Sequence, residues 1–252
     1  MFYRGIPLKP GVDVSGTDLS GFSFGRKDLT GVNLNGANLV HTYFIAANLT
    51  RADFSNANGQ GLVFSRVDLT DALFVQANLS EASLRGANLT RANLTKANLI
   101  RANLMRANLT DAILIEANLT NVTLRSTNLT LAERADLTRA NLTRANLTGA
   151  NLAVANLTDA NLTEADLTDA ILSRADFTRA NLTGANLTRA NLRSANLTRT
   201  DLSGANLTEA DLRSANLSNL TRVNLTDANL TGANFTGANL TGAIMPDGTI
   251  HD

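Results

Sequence analysis

The chain repeats itself every five residues almost from end to end. Ala140-Asn141-Leu142-Thr143-Arg144 runs straight into Ala145-Asn146-Leu147-Thr148-Gly149, and the same unit recurs before and after. An α-helix cannot use this period. At about 100° per residue, each leucine would stand about 140° round from the last, scattering the apolar residues over the whole circumference. A strand can use it. In Ala-Asn-Leu the first and third side chains share one face and the middle one opposes them. Ala and Leu therefore go inward and Asn or Asp outward, while the remaining pair, often Thr-Arg, Thr-Gly or Thr-Asp, takes the chain round a corner. Such units stack into one continuous body, so a length of 252 residues need not mean separate domains.

Multiples of twenty show how many corners make a coil. Phe24, Phe44 and Phe64 fall at that interval, as do Phe54 and Phe74, and threonine follows the central residue at Thr30, Thr50, Thr70, Thr90, Thr110 and Thr130. Corner charges alternate in sign at the same spacing: Asp71, Arg91 and Asp111; Lys96 and Glu116; Glu81 and Arg101; Arg139, Asp159 and Arg179; Asp169, Arg189 and Glu209. Opposite charges stacked about 4.8 Å apart contribute only a few tenths of a kcal/mol each. Their use is diagnostic: twenty residues, four faces, one coil.

These residues resemble the pentapeptide-repeat family, whose pattern is Ala-(Asp/Asn)-Leu-X-X, over roughly residues 13–245. The resemblance implies an all-β fold: a right-handed quadrilateral β-helix, or pentapeptide-repeat solenoid, of about 20 residues per coil with Leu, Phe and Ala inside. The closing run from Gly242 to Asp252 resembles the tail of cyanobacterial members. Related proteins often dimerise through their C-terminal coil, so the resemblance also implies a homodimer.

Two slips interrupt the register. Central residues run from Val14 to Leu129, resume from Leu137 to Leu217 and resume again at Leu225, so each slip puts eight residues where five are expected. Either three residues bulge out, or two corner residues are missing and Ala132 and Leu220 become central. The missing-corner reading keeps one threonine column continuous from Thr130 through Thr148 to Thr208, and is preferred on that ground. Gly59, at a central position, suggests a bulge or a loosened corner. Residues 1–12, with Pro7 and Pro10, are expected to cover the first coil or to be partly disordered. Residues 13–245 should form a single β-helix with slips near 130–136 and 218–224, and 246–252 a tail begun by the Pro246-Asp247-Gly248 turn.

The chemistry points away from catalysis. Cysteine is absent, which removes disulfides, thiol chemistry and most structural zinc sites. His41 and His251 are too few and too far apart for a metal site, and His41 at a corner reads as an exposed bystander. No phosphate-cradling loop or nucleophile–base pair stands out. We expect no enzyme, no cofactor and no metal. Asn-Leu-Thr formally fits a glycosylation acceptor, but the repeat itself generates it. The opening Met1-Phe2-Tyr3-Arg4-Gly5-Ile6-Pro7 has no apolar signal core, and no run is long enough to cross a bilayer, so the expected location is cytoplasmic, without membrane contact.

Formal net charge is zero at pH 7, which argues against direct nucleic-acid binding. Residues 1–130 carry 12 basic and 9 acidic side chains, and residues 131–252 carry 10 and 13. Members of the resembled family that protect DNA gyrase imitate duplex DNA, which carries about one charge per 1.7 Å of axis. A DNA-mimicking gyrase modulator is therefore the alternative function, disfavoured by the balanced charge. Ice binding or a purely structural rod comes next, although Arg91, Asp111, Arg179 and Arg189 would interrupt a flat threonine plane.

In the missing-corner register one face differs from the rest. It carries outward Leu73, Val75, Ile113, Ile115, Leu131 and Ile171, and its threonine positions become Ala153, Ser173, Arg193 and Arg213. A clustered apolar strip marks an interaction site; drift among degenerate repeats is the other reading. The expected function is a non-catalytic protein-interaction scaffold or regulatory binder. Its contacts would be Leu73, Val75, Ile113, Ile115, Leu131, Ile171, Arg193 and Arg213, and its partner another protein. Some cyanobacterial members are thought to influence cell differentiation by contacting regulators, and the resemblance implies a role of that kind.

Overall fold

The computed structural model describes residues 2–3, 6–127, 135–217, 220–231 and 234–251, with side chains from Leu8 onward. Asp13 pairs with Asn33, Asn33 with Asp53, Asp53 with Leu73, Leu73 with Asn93 and Asn93 with Ile113, every bridge parallel and twenty residues long in sequence. Parallel columns also rise from Asp18, Ser23 and Asp28. We number these four faces first to fourth in that order. The chain is a β-helix whose walls are strands one bridge long. Among the described residues, longer strands occur only as the antiparallel pair β1 (Phe2–Tyr3) and β2 (Ile6–Pro7).

Inside, among the described residues, the central leucines and phenylalanines and the alanines two residues before them are buried from Leu19 to Leu225. Phe24, Phe44 and Phe64 stack up the third wall with ring centroids 5.0 and 5.5 Å apart. Phe54 and Phe74 stack at 4.8 Å on the first wall, and Phe54 meets Phe64 edge-on at 5.2 Å. Both geometries suit the ring quadrupole. Where threonine replaces the inward alanine its hydroxyl bonds a backbone carbonyl, as Thr42 does to Leu19 at 2.8 Å and Thr200 to Phe177 at 2.7 Å. Among the described residues no buried side-chain polar atom lacks a partner.

Each corner closes when the central residue's carbonyl accepts an N–H three residues on, as from Ala97 to Leu94 at 3.0 Å. The residue between takes a positive φ, 59° at Lys96, which is the sign pattern of a type II turn. Glycine would fill that place without strain, yet charged residues occupy most corners. Their own N–H groups bond the coil above, Lys96 to Ile115 at 2.9 Å, so the stack holds the strained conformation.

The two slips resolve in opposite ways. At the second, Asn206 pairs with Asn224, Asp211 with Asn229 and Asn216 with Asn234, each eighteen residues on. Leu220 is fully buried and central, so two corner residues are missing, as preferred from the sequence. At the first, Ile113 pairs with Asp136, Asn118 with Asn141 and Thr123 with Asn146, each twenty-three residues on. There the missing-corner reading fails, and three residues are added. The inward side chain decides. Leu220 fills a central position, whereas Ala132 in such a place would leave a leucine-sized hole costing about 2–5 kcal/mol. Ala132 itself, with Thr130 and Leu131, lies outside the described residues. The threonine column was a poor guide because it runs along the outside, where packing does not fix it.

Gly59 causes no bulge. Its N–H bonds Asn78 at 2.7 Å and its carbonyl accepts from Leu62 at 3.0 Å, so the register holds. Leu62 stands where alanine is usual, and its Cδ2, with that of Leu79, closes to 3.1 and 3.2 Å of where a Cβ on Gly59 would be. A larger neighbour has filled the missing volume.

The ends differ. Leu8 packs over the first core layer with Val14, Leu19 and Phe24. At the other end Gly248 turns the chain back, so that Ile250 pairs antiparallel with Ile244. The last core side chains, Leu230, Phe235, Leu240 and Met245, are only half-buried.

Candidate interaction faces

The outward asparagine is not simply solvated. The Oδ1 of Asn93 accepts both the N–H of Thr95 at 3.0 Å and its hydroxyl at 2.6 Å. Its counterparts behave alike at Asn141 with Thr143, Asn181 with Thr183 and Asp166 with Thr168. Asparagine amides also bond the coil below, Asn98 to Asn78 at 3.1 Å. Asn-Leu-Thr is thus a corner-closing unit, an Asx turn sealed by a hydroxyl. Threonine recurs because its hydroxyl has an acceptor two residues back.

Against that pattern the exceptions stand out. Leu73, Ile113 and Ile171 occupy the outward position, are 41, 36 and 41% exposed, and cannot accept the corner N–H. Leu73 and Ile113 lie on the first face, with Val75 and Ile115 two residues beyond them. Ile171 does not join them. It pairs with Asn151 and Asn191, on the fourth face, and the Ser173, Arg193 and Arg213 column follows it there. The single strip expected from the sequence is therefore split between two faces, because the added residues shift every later unit by one face relative to the missing-corner register. Leu131 falls outside the described residues. Arg193 is exposed and lines a shallow groove with Val154, Ser173, Arg174 and Asn191. Arg213 is clamped by Asp211, Nε to Oδ1 at 2.8 Å.

The corner ladders form as the sequence spacing suggests: Arg91–Asp71 at 2.7 Å, Lys96–Glu116 at 3.5 Å, Arg101–Glu81 at 4.0 Å, Arg179–Asp159 at 2.6 Å and Arg189–Asp169 at 2.7 Å. Across the lengthened coil Arg139 reaches Glu116 at 3.1 Å. The guanidinium hydrogen bonds hold the carboxyls of Asp71, Asp159 and Asp169 below their ordinary range. Thr30 does the same for Asp28 through its hydroxyl and its N–H. His41, at a corner with φ 52°, is exposed, and its imbalance of space is taken up by Gly61, where a Cβ would come within 2.5 Å of its Nδ1.

The third face carries a feature that the sequence reading passed over. Between residues 23 and 125 its outward positions are Ser23, Tyr43, Val63, Ser83, Asn103 and Thr123, and arginines stand beside them at Arg26, Arg66, Arg85, Arg106 and Arg125. The signal lies in the columns at intervals of forty, where Arg26, Arg66 and Arg106 recur with one sign, and not in the alternating ladders at intervals of twenty. Among the described residues no group of three or more His, Cys, Asp or Glu could hold a metal ion, and no helix is long and apolar enough to cross a membrane.

A repeat rod that offers long, distinct faces is a defined class of protein, and comparison names it. The family model described as pentapeptide repeats (8 copies) matches overlapping segments from residues 11–44 to 218–247. The chain belongs to the pentapeptide-repeat family, whose fold is a right-handed β-helix. It is 35% identical to HetL, a pentapeptide repeat protein involved in heterocyst differentiation regulation from the cyanobacterium Nostoc sp. strain PCC 7120, covering 94% of this chain and 93% of that one with a TM-score of 0.49. A pentapeptide repeat protein of the Arabidopsis thaliana thylakoid lumen is 32% identical over 51% of this chain and 74% of its own, TM-score 0.33. QnrB1, a plasmid-mediated fluoroquinolone resistance protein, is 16% identical over 88% and 92%, TM-score 0.31. No curated protein matches the chain.

Proposed function

We propose that this protein is a non-catalytic interaction scaffold, a cytoplasmic regulatory binder. It would present the faces of one quadrilateral rod, about twenty residues per coil, from near residue 13 to near 245. One observation carries the reading. At Leu73 and Ile113 an exposed apolar side chain stands where asparagine elsewhere closes the corner with two hydrogen bonds. Each such site gives up about 1 kcal/mol or more of local stability and gains no burial within the fold. A partner that covers the side chain would supply the missing burial. Leu73, Val75, Ile113 and Ile115 form the contact on the first face, with Ile171 and Arg193 as a separate contact on the fourth.

Replacing Ile113 and Ile115 with Asp tests this. The variant should fold with an unchanged circular dichroism spectrum, and a pull-down from native lysate should lose the partner that wild type retains. Retention of that partner by the double variant would contradict the assignment. The half-buried Leu230, Phe235, Leu240 and Met245 favour a homodimer through the C-terminal coil. Sedimentation should show a dimer that Phe235→Asp converts to monomer; a wild-type monomer at micromolar concentration would remove that part of the proposal.

A further inference from the structure

The third face has the opposite electrostatic plan from the corners around it. Arg26, Arg66 and Arg106 occupy one corner column at φ 56, 57 and 59°, separated by Ala46 and Gly86. Arg85 and Arg125 stand one coil above Arg66 and Arg106, whose N–H groups bond their carbonyls at 3.3 and 3.2 Å. All five arginines are exposed, and among the described residues none has an ion pair, whereas ladders at other corners alternate in sign. The carboxylates across the corner, Asp28 and Asp68, are engaged by Thr30 and Thr70. Glu81, at the far corner, belongs to Arg101.

Small residues between the guanidiniums keep the column open. Nothing lies within 4 Å of a Cβ placed on Gly86, and Ile45, Ser65, Arg66, Arg85, Gly86 and Arg106 line a shallow groove there. Tyr43 and Ile45 beside it are 41 and 47% exposed. On this stretch Ser23, Tyr43, Val63, Ser83 and Thr123 take the outward places where an Asx cap would otherwise close the corner. Unpaired charge, exposed apolar surface and absent capping thus coincide on one stretch of one face.

We propose that this stretch binds an acidic segment of a partner protein in the polyproline II conformation, with carboxylates about 10 Å apart and apolar residues at the Tyr43–Ile45 end. Arg26, Arg66 and Arg106 lie two coils apart, about 9.6 Å at the strand spacing. A polyproline II segment, with three residues per turn and a rise of about 3.1 Å, sets every third side chain on one face at about 9.3 Å. Guanidiniums suit carboxylates through paired N–H donors. A nucleic-acid strand, with a charge about every 3.4 Å, would leave most phosphates unanswered, and a rod of zero net charge does not attract a polyanion at long range. The assignment rests on the scaffold reading above but uses a different face.

The probe is a fluorescent fifteen-residue peptide with Glu at every third position and two leucines at one end, titrated by anisotropy in low salt. A scrambled peptide with its glutamates contiguous and a fifteen-nucleotide oligothymidylate serve as controls. Glu81 and Glu116 already occupy equivalent corners at φ 60 and 57°, so Arg66→Glu with Arg106→Glu keeps a residue type the corner accepts. Wild type should bind the spaced peptide at least tenfold more tightly than the scrambled one or the oligonucleotide. The Arg66/Arg106 double variant should lose at least tenfold, and Ile113→Asp with Ile115→Asp should lose nothing. No binding by folded wild type, equal binding by the arginine variant, or tighter binding of the oligonucleotide would overturn the proposal. Partner capture that still depends on Ile113 and Ile115 would then leave the scaffold reading standing.

Discussion

At Asn93 a single side-chain oxygen takes two hydrogen bonds from Thr95, and this small device explains most of the composition. Removing it with Asn93→Ala should cost about 1–2 kcal/mol in chemical denaturation; no loss would mean that water replaces the cap without penalty. Val154 shows the opposite stress, a β-branched residue at φ 63°. Val154→Gly should stabilise by about 0.5–1 kcal/mol, because relief of a left-handed side chain outweighs the entropy that glycine adds to the unfolded chain; a lower midpoint would contradict that balance. Titration belongs to the same scale. Arginine partners lower the carboxyls of Asp71, Asp159 and Asp169 in the folded state. A lowered carboxyl adds stability above its unfolded pKa of about 3.9, and that stability is lost as pH falls through the folded value. The melting temperature should therefore fall in acid below about pH 4. Asp159→Asn with Asp169→Asn should flatten the fall by the same small amount that it lowers stability at neutral pH, because what protonation removes in acid is what the exposed pairs contribute at neutrality. An unchanged acid slope would show that these pairs do not govern it.

At the scale of the coil, what the sequence could say depended on which side of the wall a residue faced. Inward positions were legible: Leu, Phe and Ala at fixed spacing give the four walls and the phenylalanine stacks, because packing tolerates little else. Outward positions were legible only in part, in the alternating corner charges. Thr130 and Thr148 suggested a continuous column, but threonine answers to its own asparagine two residues back and carries no information about the neighbouring coil. The same blindness hid the charged left-handed corners, since Lys96 at φ 59° is held by a bond to Ile115 in the coil above, which no local propensity reports. Inward volume separates the two slips, and Leu220 tests it. Leu220→Ala should cost about 2–5 kcal/mol, as Leu202→Ala should, because both are fully buried central residues. A negligible cost would place Leu220 in a bulge.

For the whole rod, function is a matter of which side chains share a face, and the lengthened coil before Ala135 decides it. That coil puts Leu73 and Ile113 in the column that continues to Asp136 and Asn156, and moves Ile171 and Arg193 to the next face. Net charge alone had hidden a second division: balance over 252 residues conceals an arginine stretch on the third face and paired ladders at other corners. Alternating ladders also make a poor likeness of duplex DNA, whose charge has one sign throughout. Because the chain has no cysteine, introduced pairs report on the faces without background. The most direct measurement is oxidative cross-linking of Ile113→Cys with Asp136→Cys against Asn118→Cys with Asp136→Cys. Neighbouring strands lie about 4.8 Å apart, within reach of a disulfide. The first pair should close readily and the second should not; closure of the second and not the first would restore the eighteen-residue coil and overturn the assignment of faces.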